Sequence, residues 1–461
     1  MKRTKTNRDH AKKQHSHQPE NEAVAASLEA LLTPAIHSQQ AFYRQLGLRN
    51  RILNLPFMIA AGLTLLWRNV PGVQDLTRLL AREGFLWVKP TEVTQKAISE
   101  RFLTFPAILF EKVFKELLPH LKQKCHGRVN RPLPESIQFA RSIFAEIWII
   151  DGSTLEALFR NLKSLEDVPI GTLAGKIGVV IDLVTRLPVE IWFRNNPNSS
   201  EVNFEKDILN LVKTKTLLLL DRGFYHFFFW QQLMEAEIDF ITRLKKGASI
   251  QIEKVFSNSY GLRDRLIRLG SGKNNTPILT LRLVEIRSKN TWHSYVTSVL
   301  DPTVLPPYVV ADLYRRRWRI EEAFNTVKRL LGLSYLWTGS LNGIKLQIWG
   351  TWLFYAVLVD LGDAVADELV LPFDRISLEM IYRGLYHFNV AYQKGVPPWG
   401  GQGGVATDPV KYFASPKNQD LGVVKTKRKP TVKLIVAPFP DRQRSSPQFF
   451  FNNPLTNCTQ A

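Results

Sequence analysis

"KIGVVIDLVTRLPVEIWF" (residues 176–193) decides the fold class of this 461-residue chain. Two β-rich runs flank the polar turn "TRLP", a hairpin signature. Upstream, "IWIID" (147–151) is a short apolar strand ending in a carboxylate, and downstream "TLLLLD" (216–221) is another apolar run with the same ending. Between them "NSSEVNFEKDILNLV" (198–212) opens on serine caps and turns helical. "GFYHFFFWQQLMEAE" (223–237) reads as a helix and "IDFITRL" (238–244) as a further strand. The order β, β, β, α, β, α, β describes an α/β chain: a mixed sheet with helices packed on it.

Either side of this core the texture changes. Residues 1–22 form a polar basic arm with His10, His15 and His17 among lysines, expected to be disordered and to touch phosphate rather than hold metal. Residues 23–140 are expected to be helical. "ENEAVAASLEALLTPAI" (20–36) and "FPAILFEKVFKELLPHL" (105–121) space their apolar residues by three and four. Residues 73–102 read as a helix, a break at Gly84 and Pro90, and a second helix opening near Thr91 or Thr94. That is either a helix-turn-helix that enters a DNA groove or an ordinary helical pair. Residues 246–300 read as a β-rich insertion, with strands at "LIRLG" (266–270), "ILTLRLVEIR" (278–287) and "HSYVTSVL" (293–300). The core, whose first part is 141–245, resumes over 301–390 with a long helix after Pro306 and Pro307, and residues 391–461 read as an irregular basic tail.

Charge narrows the function. Lys and Arg total 61 against 41 Asp and Glu, a net +20 with a pI near 9.9, which points to nucleic acid or an anionic membrane surface. "LQIWGTWLFYAVLV" (346–359) is short for a span and carries Gln347, and Asp360 and Asp363 follow it. A core helix is expected there rather than a bilayer segment. The N-terminus has no apolar stretch of a secretory signal. Cys125 and Cys458 are far apart, so neither a disulfide framework nor a cysteine zinc site is expected, and the chain reads as cytoplasmic.

The chemistry sits in three places. Asp151 and Asp221 each end an apolar strand. Adjacent strands would bring the two carboxylates together, a conflict that a divalent cation removes; hard oxygen donors suit Mg²⁺ or Mn²⁺. Taken singly, each aspartate could equally cap the turn that follows it. The third place is "LYRRRWRIEEAFNTVKRLL" (313–331). On one α-helix Tyr314, Arg317, Glu321 and Lys328 fall within about 60° of one another. Such a stripe fits a single acid at a metal with cations holding a DNA backbone; a solvated, salt-bridged face is the plainer alternative, which must then account for Trp318 and Ile320 among the charges. With Asp151 and Asp221, Glu321 would complete a three-carboxylate site for two ions.

"IIDGSTL", "LLLLDRGFY" and "YRRRWRIEEAFNTVK" together resemble the three acidic motifs of the DDE transposases of bacterial insertion sequences. The last fits Y-x2-R-x3-E-x6-K, the signature of the hairpin-forming, cut-and-paste branch, and the resemblance covers about residues 140–335. It implies a ribonuclease-H-like core split by a β-rich insertion. It implies Asp151, Asp221 and Glu321 as ligands of two Mg²⁺ or Mn²⁺ ions, and Tyr314, Arg317 and Lys328 as DNA contacts. It also implies a homodimer in a synaptic complex on double-stranded DNA, both element terminal repeats and target, located with the nucleoid. The reaction would be nicking, hairpin formation by the freed 3′-hydroxyl, resolution and strand transfer. Trp292 is the expected indole for stacking a flipped base, or else a tryptophan that packs the insertion; Arg222 would hold phosphate or pair with an acid. A nuclease that only hydrolyses, a decayed or domesticated DNA-binding relic and a membrane-surface protein are the competing readings.

Overall fold

The structure is a computed structural model that describes residues 22–68, 70, 72–155, 175–196, 199–272, 275–333, 340–393 and 408–426. The basic arm 1–21 and most of the expected tail lie outside the described residues.

Seven helices lead in: α1 (Glu22–Ser38), α2 (Gln40–Gln45), α3 (Leu55–Trp67), α4 (Val73–Arg82), α5 (Gln95–Thr104), α6 (Ala107–Gly127) and α7 (Glu135–Arg141). Thr94 caps α5, its hydroxyl accepting from the Ala97 N–H, as the sequence predicts. The join between α4 and α5 is not a helix-turn-helix turn of ~3–4 residues. Residues 83–94 intervene, folded back by a Phe85–Val88 bridge that buries Phe85.

The sheet follows with β1 (Glu146–Thr154), β2 (Lys176–Asp182) and β3 (Pro188–Arg194). Next come α8 (Glu205–Leu211), β4 (Thr216–Leu220), α9 (Phe227–Glu235) and β5 (Asp239–Arg243). The "TRLP" turn joins β2 to β3 as expected, with Asp182 accepting from the Val184 and Thr185 N–H groups. β1, β4 and β5 are parallel neighbours, and β2 and β3 continue antiparallel beyond β1. This mixed sheet with flanking helices is a ribonuclease-H-like α/β fold.

The insertion holds β6 (Ile250–Asn258), β7 (Leu262–Leu269), β8 (Leu279–Ser288) and β9 (Thr291–Thr297). Sequence patterning missed β6, an almost wholly exposed edge strand whose apolar alternation is confined to Ile250 and Ile252 and breaks at Val255 and Phe256. The insertion also does not stand apart: β9 pairs antiparallel with β5, so one nine-stranded sheet runs β3-β2-β1-β4-β5-β9-β8-β7-β6.

Alternation along the central strands feeds two cores. Ile147, Ile149, Leu217, Leu219 and Ile241 face one side; Trp148, Ile150, Leu218, Leu220 and Phe240 face the other. The first core is continuous from Val24 to Val423, so the N-terminal helices share it with the sheet instead of closing a core of their own at residue 140.

The expected long helix after Pro306 is broken into α10 (Pro307–Arg316), α11 (Arg319–Asn325) and a π segment, Thr326–Leu330. α12 (Leu341–Glu368) is long and apolar enough to cross a membrane, but 83% of its apolar window is buried, as a core helix requires. α13 (Leu378–Gln393) and α14 (Pro409–Ala414) follow. The stretch 408–426 corrects the expectation of an irregular tail. Asp408 caps α14 with Pro409 in its first turn, and Tyr412 and Phe413 pack on Phe388.

α12 is tied to α6 by charge as well as packing. Asp363, fully buried, meets Arg128 Nη1 at 3.0 Å and Arg131 Nε at 2.6 Å. Asp363→Ala strands the Arg131 guanidinium, while Arg128 keeps Asp360 at 2.6 Å, and a loss on the order of 3 kcal/mol is expected in urea unfolding.

Candidate active site

The parallel register pairs Ile149 with Leu219 and Ile150 with Leu220. The next residue on each strand is an aspartate, so Asp151 and Asp221 leave neighbouring strands side by side. Both follow the parity of Ile149 and Leu219 and therefore face the side of the sheet covered by α10–α12. Arg317 meets them there. Its Nη1 donates to Asp151 Oδ2 at 2.9 Å, and its Nη2 lies 3.0 Å from Asp221 Oδ1. The planar fork of arginine spans two carboxylates in this way; a lysine would offer one point charge.

Asp151 and Arg317 are both buried, whereas the Asp221 side chain is 35% exposed. Burial pushes the Asp151 carboxyl up to about 7; Arg317 opposes this, and Asp221 and Glu321 add to it. Burial alone would lower the Arg317 guanidinium, and Asp221, Tyr314 and Asp151 lift it above its ordinary value instead. Tyr314 backs the guanidinium: it is 5% exposed, its ring centroid is 5.8 Å from Arg317 Cζ, and it packs on Tyr295 at 5.4 Å.

The stripe expected along one regular helix is carried by an irregular one. At Arg317 and Trp318 the backbone bonds shorten to i→i−3, with the Arg317 N–H to Tyr314 O at 3.0 Å and the Glu321 N–H to Trp318 O at 3.1 Å. Past Asn325 they lengthen to i→i−5, with the Leu331 N–H to Thr326 O at 2.9 Å. Tightening and loosening turn the helix phase in opposite senses. Lys328, in the loosened part, donates to Thr154 O at 2.8 Å and to the Ser153 hydroxyl at the end of β1. Burial lowers the Lys328 ammonium, while Glu321 and Asp151 raise it. Glu321 thus stands in the field of both Asp151 and Lys328. Its neighbour Glu322 turns away to Arg319, whose Nη1 is 2.6 Å from Glu322 Oε1.

Trp292 is the second residue of β9, which runs antiparallel to β5 with Tyr295 opposite Arg243. The β8–β9 tip therefore projects beyond the same sheet edge that carries the aspartates, about 10 Å past Tyr295 at strand rise. The Trp292 indole lies under Arg263, whose Cζ is 4.3 Å from the ring centroid. Arg222 is exposed, one residue past Asp221.

Residues 147–357 match the family model described as a transposase DDE domain. This part of the chain is a DDE-transposase-family domain. The chain is also 25% identical over 221 residues to a protein of Sinorhizobium fredii (strain NBRC 101917 / NGR234) named "Putative transposase y4zB". That stretch is 44% of this chain, and the chain spans 60% of the relative's length.

Among the described residues, no three His, Cys, Asp or Glu side chains of the DDE domain are grouped closely enough to hold one ion. The physical reason is visible in Arg317, which draws Asp151 and Asp221 onto its own nitrogens. The donor set still fits a hard divalent cation: two carboxylates, adjacent by strand register, already share one cationic group.

Trp318, singled out in the sequence among the charges, is 63% exposed beside Arg317, its indole centroid 5.8 Å from Arg317 Cζ. Sequence reading missed one feature of this edge. Lys176 and Glu201 form a 2.6 Å ion pair at the ends of β1 and β4. The glycines of "DGS" and "DRG" were the available signal, since a missing Cβ after each aspartate leaves room for a neighbour.

Arg317→Ala leaves the buried Asp151 without its counter-charge. In metal-free protein a loss on the order of 3 kcal/mol is expected from denaturant melts, and Mn²⁺ should restore part of it.

Proposed function

We propose that the chain is a transposase of the hairpin-forming, cut-and-paste branch, acting on the ends of its own mobile element in double-stranded DNA. The observation that carries the reading is the meeting of Asp151, Asp221 and Arg317 at the ends of β1 and β4, within a DDE-transposase-family domain. Asp151, Asp221 and Glu321 would hold Mg²⁺ or Mn²⁺, two ions, which when bound supply Lewis-acid activation and charge neutralisation for phosphoryl transfer.

The chain's own groups do the rest. Arg317 and Lys328 hold the DNA backbone on either side of the scissile phosphate, and Tyr314 keeps Arg317 aimed. No protein nucleophile is needed: water attacks in the nicking step, and the freed 3′-hydroxyl attacks the opposite strand to close a hairpin. Trp292, on the same sheet edge, offers an indole for an unstacked base, and exposed Arg222 offers a phosphate contact. Two copies pair on the two element ends, in the cytoplasm with the nucleoid.

The test is a labelled DNA carrying the chain's own genomic flanks, incubated with Mg²⁺ or Mn²⁺ and run on a denaturing gel. Metal-dependent nicks and hairpin ends are expected, and Glu321→Gln should abolish both while leaving DNA binding intact. Binding with no cleavage by the wild type would sink the enzymatic reading in favour of a DNA-binding relic. Nicks without hairpins would leave a nuclease. Lys328→Ala should weaken binding across all sequences and reduce the salt slope by about 1.

A further inference from the structure

On the face of the sheet opposite Arg317, one side chain touches both strand ends that carry the aspartates. Glu201 opens a 3-10 turn, Glu201–Phe204, just before α8. The turn is pinned at three points. Phe204 lies over Gly178 of β2, where a Cβ would come within 2.9 Å of its ring, and it stacks on Trp192 at 6.1 Å. Glu205 Oε2 lies 2.8 Å from His226 Nδ1, in the loop after β4. Lys176 Nζ, on a largely buried side chain of β2, is 2.6 Å from Glu201 Oε1.

Held so, the Glu201 carboxylate fills the space left by two glycines. A Cβ on Gly152 would sit 3.1 Å from Glu201 Oε1, and one on Gly223 would sit 2.7 Å from Oε2. Each oxygen faces one strand end. These glycines are also the ones whose N–H groups donate to the aspartates, Gly152 to Asp151 Oδ1 at 2.8 Å and Gly223 to Asp221 Oδ2 at 3.3 Å. Glu201 thus lies against the two glycines whose peptide groups hold both carboxylates.

We propose that Glu201, locked by Lys176, is a positioning residue of the active site: it sets the spacing of the β1 and β4 ends so that Asp151 and Asp221 can share a divalent cation. The inference rests on the metal-site reading above. Outer partners that orient ligating groups typically change metal affinity by about 10–100-fold when removed. A purely structural role is the rival account, in which Glu201 only neutralises the largely buried Lys176.

Mn²⁺ binding to the full chain, followed by the EPR signal of free Mn²⁺, separates these accounts without DNA or turnover. Asp151→Asn/Asp221→Asn tests the metal-site reading itself: unchanged binding would sink that reading and this inference with it. Provided the aspartate variant loses binding, Glu201→Gln should weaken it about tenfold. Glu201→Gln/Lys176→Met removes both charges together, so no stranded ammonium confuses the result. It should remain as weak as Glu201→Gln, and a return to wild-type affinity would overturn the proposal in favour of charge neutralisation. Gly223→Ala should also weaken binding, and adding Glu201→Ala, which clears the collision, should not weaken it further. Wild-type affinity in Glu201→Gln, with the aspartate variant inactive in binding, would overturn the proposal outright.

Discussion

One guanidinium between two strand-end carboxylates organises this molecule. Asp151 and Asp221 are placed by sheet register, and like charges so close would otherwise push the strand ends apart. Arg317 answers that repulsion from α10's C-terminal end, and doing so fixes where the whole segment 307–330 must lie. Tyr314 is buried behind it, Lys328 is drawn to the end of β1, and the helix departs from regular winding twice to deliver them. A π segment at a functional site is a recurrent sign of geometry held at some cost in backbone regularity.

Much of this was legible in the chain itself. Apolar runs that stop on an aspartate revealed both strands and both carboxylates, because a buried strand and a polar terminus leave a sharp boundary in composition. The association of Tyr314, Arg317, Glu321 and Lys328 was also readable, although from an ideal 3.6-residue period that the structure does not keep. What stayed hidden was Arg317's partner choice: periodicity fixes which face a side chain takes, not which of several nearby anions it meets. β6 was invisible for a different reason. Its residues are largely exposed, and the alternation of Ile250 and Ile252 breaks at Val255 and Phe256, too short a run to mark a strand. The 408–426 stretch had a readable start in "DPVKYF", with a capping aspartate and a first-turn proline, but the surrounding Gly- and Lys-rich composition masked it.

The expected division of the chain into a helical leader and a sheet-bearing core has a physical qualification. α6 lies along α12, Phe114 meets Trp349 at 5.5 Å, and Arg128 and Arg131 reach the buried Asp363. Elements more than two hundred residues apart thus close one apolar core. Movement of the leader relative to the sheet would have to break charged contacts as well as packing.

The continuity of the nine-stranded sheet has a consequence for how such a protein can change over evolutionary time. β5 is an interior strand only because β9 hydrogen-bonds along it. Excising residues 246–300 as a module would strip β5 of that partner and present its N–H and C=O groups to solvent as an open template for a neighbouring molecule. Substitutions and loop-length changes at the β6 side are tolerated far more readily, since that strand already ends the sheet. The insertion is therefore replaceable from its outer margin inward, and its innermost strand is bound to the core's solubility.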